Sequence, residues 1–295
     1  MNDKDYNKLI KDYEKLHYSR PDIYIMDYRD GFLTRSEKVQ ARKLLDQNKE
    51  DGIRILLTWL GMNSGYYEYK YYRAFKNHDM EMLNNALYET ALIEHLDCIC
   101  DPGYDHAFFA FVVIPQILAA NVPDRIEKLI PKENGPANNG YNAGPCIVNL
   151  LMAVWYGDEN QKEMATEQAE RSLNKKITLI ERGYIDSYLG FLKKDPQMIK
   201  EGLVELCQGK KKNRDSTEDA FTRGFSVEAH GVYNLAHWVY NGELYSEYPD
   251  NLEIYKTMLK TEPPVMHLTL PVRKKCTLDV KRFEKELIEE IIRNM

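Results

Sequence analysis

Between Ile177 and Gly242 apolar positions recur with a period near 3.6 residues, and short polar turns interrupt them, so this stretch reads as consecutive amphipathic helices. The turns carry their own signal. In three places a bulky apolar helix end is followed by a few polar residues and an aspartate able to cap the next helix: Asp79, Asp158 and Asp195. Met82, Leu83, Ala86 and Leu87 follow Asp79 at offsets of 3, 4, 7 and 8, and Met198, Ile199 and Leu203 follow Asp195 at 3, 4 and 8. Each set forms one stripe. Pro196, directly after Asp195, suits a first helical position, where its missing N–H is not needed.

No sustained alternation of apolar and polar residues rich in Val, Ile and Thr occurs, so the fold class expected is all-α, a single irregular array of antiparallel αα-hairpins. Asp79, Asp158 and Asp195 are separated by 79 and 37 residues, too irregular for a regular repeat family. One domain, 1–295, is expected. The segment PKENGPANNGYNAGP, residues 131–145, concentrates Pro, Gly and Asn and divides an N-terminal part (1–130) from a C-terminal part (146–295). Residues 261–272 hold three prolines and should be extended. Val280, Phe283, Leu287 and Ile291 then predict a closing amphipathic helix, with Thr277 or Asp279 as its cap.

Composition narrows the class. A chain of 295 residues with 43% hydrophobic and 29% charged residues, and with 21 Tyr, 9 Phe and 3 Trp, should fold around a sizeable core. The first twenty residues contain no apolar core of a secretory signal. The longest apolar runs, Ala107 to Val113 and Ile147 to Trp155, are shorter than the roughly 20 residues a membrane span requires. Five cysteines (Cys98, Cys100, Cys146, Cys207, Cys276) are an odd set in a chain that needs no disulfide staples, and a cytoplasmic location with reduced thiols is expected. The formal charge of −6 argues against nucleic acid and for a basic protein partner.

Candidate chemistry is thin. EHLDCICDPGYDH gathers Glu94, His95, Asp97, Cys98, Cys100, Asp101, Asp105 and His106, but CxxC and HxxxH spacings are missing, and no metal is expected. His230 and His237 share a helix face with Glu228 nearby, yet two turns, about 10 Å, separate the histidines. Packing is the expected role. QGKKKN lacks the upstream glycine and the Ser or Thr of a phosphate loop, so Lys210, Lys211, Lys212 and Arg214 read as a solvated loop. SGYYEYKYYRAF places Tyr66, Tyr67, Tyr69, Tyr71 and Tyr72 within seven positions. Five such rings exceed one helix stripe, which leaves two readings open: an aromatic groove filled by neighbouring helices, or a tyrosine-rich interface.

The stretch Glu167 to Gly242 resembles the all-helical immunity proteins that protect bacteria from polymorphic toxins. The resemblance rests on Leu192-Lys193-Lys194-Asp195, the helix pattern Met198 to Leu206, and Phe225-Ser226-Val227-Glu228-Ala229 running to Trp238 and Gly242. Gly202 and Gly231, each inside a helix, depart from that group. The resemblance implies a cytoplasmic, stoichiometric inhibitor that binds a cognate protein toxin without catalysis or cofactor. Tyr66, Tyr67, Tyr69, Tyr71 and Tyr72, with Asp158, Glu159, Glu218 and Asp219 facing a basic toxin, are the candidate partner-binding residues. Two rival readings are a tetratricopeptide-like adaptor docking a peptide in a tyrosine-lined groove and a metal-dependent hydrolase built around His95 to His106.

Overall fold

A computed structural model describes residues 3–18, 64–79, 106–120, 126–138, 140, 142–212 and 226–240, with isolated positions between 39 and 90. The fold is all-α, and no strand occurs among the described residues. In chain order the helices are α1 (Asp3–Tyr18), α2 (Ser64–Asn77), α3 (His106–Phe108), α4 (Ile114–Ala119), α5 (Ile126–Leu129), α6 (Gly144–Tyr156), α7 (Glu159–Leu173), α8 (Leu179–Lys193), α9 (Pro196–Lys212) and α10 (Val227–Tyr240). The expected closing helix and the proline-rich segment before it lie outside the described residues.

The capping aspartates are local and legible. Asp79, Asp158 and Asp195 each accept a hydrogen bond through Oδ1 from the backbone N–H three residues on, at 2.9, 3.1 and 3.1 Å. Each follows a residue in the left-handed region: His78 (φ 53), Gly157 (φ 69) and Lys194 (φ 53). A left-handed residue closes the preceding helix, as the bonds from Asp79 N to Ala74 O and from Asp195 N to Gly190 O, both 2.8 Å, confirm. At Asp158 and Asp195 one helix therefore stops and the next starts within two residues. α8 begins instead with a reciprocal box: Glu181 N donates to Thr178 Oγ1 at 3.2 Å while Thr178 N donates to Glu181 Oε2 at 2.7 Å.

α6 forms the centre. Its sequence GPCIVNLLMAVWY is apolar on every side, so it must be surrounded, and Cys146 through Val154 are all buried. α7 covers one flank through Ala165 and Ala169, and α8 packs against another. Asn149 is the single polar residue in that buried run. Its Oδ1 accepts from Ala137 N at 2.6 Å, and its Nδ2 donates to Ala137 O at 3.0 Å and to Gln168 Oε1 at 2.9 Å. This side chain fastens the turn-rich segment before α6 to the core.

Between α3 and α4 the chain makes a π-helical turn, Phe109–Val113. Pro115, in the first turn of α4, accounts for it: proline removes one helical hydrogen bond and its ring crowds the carbonyl four residues back, which a widened turn relieves. α10 closes over α4, and Asn234 Nδ2 donates to the carbonyls of Leu118 (2.8 Å) and Ala119 (3.2 Å) at the end of that helix.

α8 and α9 are the most intimate pair. A Cβ added at Gly183 would meet Leu206, at Gly190 Ile199, at Gly202 Ser187 and at Gly209 Ile180, which is one constant antiparallel register. Gly183 and Gly190 are seven apart, as are Gly202 and Gly209, so each helix offers a glycine every two turns to the same seam. The glycines that looked like departures from an immunity-protein pattern are what let two backbones touch. Gly231 does likewise against Pro115 O, at 3.0 Å from its would-be Cβ.

Candidate functional site

The tyrosines of α2 divide. Tyr69, Tyr71 and Tyr72 are 9%, 5% and 2% exposed. Tyr72 stacks on Tyr13 of α1 at 4.5 Å, and its hydroxyl donates to Glu14 Oε1 at 2.7 Å, which also accepts from Lys76 Nζ at 2.6 Å. Those two donors hold the Glu14 carboxyl below its ordinary pKa. Tyr71 shares a hydrogen bond with Thr90 Oγ1 at 3.3 Å. These three rings lie inside the fold, in a groove filled by neighbouring helices. Tyr66 and Tyr67 belong to α2, with side chains outside the description.

The acidic candidates sit at the start of α7. Asp158 is its cap and lies 3.9 Å from Lys132 Nζ, while Glu159 is exposed and paired to Lys162 at 2.6 Å. Glu218 and Asp219 lie outside the described residues. The structure extends this patch in a way the turn signal did not reveal. Ala165 and Ala169 turn one face of α7 to the core, and on the opposite face Glu159, Glu163, Glu167 and Glu170, at i, i+4, i+8 and i+11, form one exposed row. Arg171 partly offsets it, at 3.6 Å from Glu167.

A buried polar centre joins α8, α9 and α10. Lys210 was expected in a solvated loop with Lys211 and Lys212; instead α9 runs through all three, and Lys210 Nζ meets Glu228 Oε1 at 3.2 Å with side chains only 14% and 10% exposed. The correction follows from the glycine seam, which carries α9 alongside α8 as far as Gly209 and delivers the next residue to α10. Ser226 explains the Phe-Ser-x-Glu-Ala signature: its Oγ accepts from Ala229 N at 3.2 Å as the cap of α10, and it also donates to Glu228 Oε2 at 3.3 Å. His230 is buried, and burial pushes its pKa down to about 3, so the ring is neutral. His237 is on α10, its side chain outside the description.

Two features escaped sequence reasoning. The rings of Tyr184 and Tyr188 of α8 lie 5.8 Å apart, tilted by 44°, in line with Phe111 and Phe191, and both hydroxyls are buried with no hydrogen-bond partner. Burial raises both phenol pKa values. The second feature is a pair of half-buried carboxyl groups, Asp186 of α8 and Glu205 of α9, whose pKa values burial raises above the ordinary carboxylate range. The heptad spacing of glycines was the signal that could have announced the α8–α9 seam.

Chemically this interior locks helices together. Lys210 and Glu228 neutralise each other, His230 carries no charge, and Cys146 is a buried thiol whose pKa burial raises. Among the described residues no group of three His, Cys, Asp or Glu could hold a metal ion. Of the ligand-rich segment, only His106 is among them. Nor is any described helix long and apolar enough to cross a membrane. No family model matches the chain, and no curated protein or solved structure matches it significantly.

Proposed function

We propose that this protein binds a basic protein toxin and neutralises it by direct contact in the cytoplasm, without catalysis or cofactor. The observation that carries the reading is the acidic row of α7. Glu163 and Glu170 have no ion-pair partner among the described residues, so the row keeps a net negative face toward solvent. Such a face accelerates encounter with a positively charged partner and rejects acidic ones. The helices behind it, packed around the buried α6, supply a rigid support, and rigidity spares an inhibitor the entropy of ordering its surface on binding. The resemblance of residues 167–242 to immunity proteins points the same way.

The test is co-expression with toxin domains encoded beside this gene, with growth and association rate as readouts. Wild type should restore growth. Glu163→Lys with Glu167→Lys and Glu170→Lys should slow association at least about tenfold at low salt, with the gap closing as salt rises. Undiminished rescue and an unchanged association rate in that variant would remove the α7 face from the interaction.

A further inference from the structure

Two of the chain's three tryptophans meet at one corner of the fold. Trp155 lies in the last turn of α6 and Trp238 in the last turn of α10, and their rings stand edge to face, 6.4 Å apart with 87° between their planes. Both indoles are half-buried against the core. The N–H of Trp155 donates to Oε1 of the exposed Glu127 on α5 at 3.4 Å, a long hydrogen bond at the surface that leaves most of that carboxylate's acceptor capacity unused by the described residues. Tyr156 holds the arrangement in place: its hydroxyl donates to Ile130 O at 2.9 Å and so ties the end of α5 to the end of α6. Burial, and after it the charges of Glu127 and Glu133, push the Tyr156 phenol up to about 12.

Perpendicular indoles with a carboxylate at their edge suit a cationic side chain. The face of an indole attracts a cation, and a guanidinium can lie flat on it while its fork of N–H groups reaches a carboxylate; an ammonium cannot do both in one plane. Asp158, the next carboxylate along, is already offset by Lys132 at 3.9 Å, which leaves Glu127 to receive the fork. We propose that the corner formed by Trp155, Trp238 and Glu127 receives an arginine side chain of the basic protein partner. The inference rests on the binding role proposed above and gives that surface an anchor, because the α7 row begins at Glu159, four positions after Trp155. The row hastens encounter, and a sheltered aromatic contact slows dissociation.

Titration of the full chain with hexa-arginine and hexa-lysine peptides, followed through the indole N–H resonances, tests the corner without any toxin. Hexa-arginine should shift the Trp155 signal and bind about fivefold more tightly than hexa-lysine. Trp155→Leu and Glu127→Gln should each bring the two peptides to near equality. Should Trp155→Leu fail to fold, Glu127→Gln, a change at an exposed position, decides. Equal binding of both peptides to wild type, or an arginine preference that survives Glu127→Gln, overturns the proposal. Co-expression with the neighbouring toxin domain reads the binding role separately. Absence of rescue by wild type sinks the toxin reading while the peptides still decide the arginine preference, and a dissociation rate from the toxin that neither variant changes sinks the anchor while sparing the α7 face.

Discussion

Gly202→Ala puts the glycine seam to a direct test because two effects of known size oppose each other there. On an exposed helix, replacing glycine by alanine stabilises by about 1 kcal/mol, since glycine sacrifices more backbone entropy. At position 202 the new Cβ would lie 2.7 Å from Gly183 O and 2.7 Å from Ser187 N, and would also press on Ser187 Oγ. The first two are backbone atoms inside a helix and cannot rotate away. Overpacking of this kind costs about 1–3 kcal/mol, and fixed partners put it near the upper end. The net expectation is a loss of about 2 kcal/mol, a factor of about 30 in the folded-to-unfolded ratio. Urea titration followed by circular dichroism should show a lower midpoint with an unchanged slope, and the melting temperature should drop by roughly 4–8 °C. A midpoint equal to or above wild type would mean that helix propensity prevails, and would refute the close register.

Other parts of the fold make separate predictions. Tyr188→Phe removes a buried hydroxyl that has no partner, so thermal unfolding should shift upward, by about 1 kcal/mol in stability, where loss of a satisfied hydrogen bond would lower it. Asn149→Leu strips three hydrogen bonds and orphans the buried N–H and C=O of Ala137; a loss of about 2–4 kcal/mol is expected by urea titration. Asp195→Ala deletes the cap of α9 and should cost about 1 kcal/mol, visible as a lower melting temperature. His230, held neutral down to about pH 3 against 6.5 for the ordinary side chain, makes the unfolded state bind the extra proton, so its contribution to stability is present above pH 6.5 and lost as pH falls. Between pH 6.5 and 5 wild type should lose about 2 kcal/mol more than His230→Gln, measured by urea unfolding at each pH.

The capping turns were legible because everything they need lies within a few residues. A carboxylate reaches the N–H three positions on, and the helix before it ends on a left-handed residue, so Asp79, Asp158 and Asp195 could be placed by inspection. The same local physics fixed the class: a 3.6 period without alternation leaves an all-α fold. Thr178 and Glu181 were equally readable as a box, and the row of glutamates on α7 is present in the sequence, although only the packing of Ala165 and Ala169 decided that this face remains exposed. Whether Tyr69, Tyr71 and Tyr72 faced a partner or the core depended on α1 arriving from more than fifty positions earlier. Lys210 looked solvated until α10 brought Glu228 beside it. Short-range hydrogen bonds are encoded where they act. Charge burial is decided by which distant segment arrives, and the glycines at 183, 190, 202 and 209 determine how closely it may come.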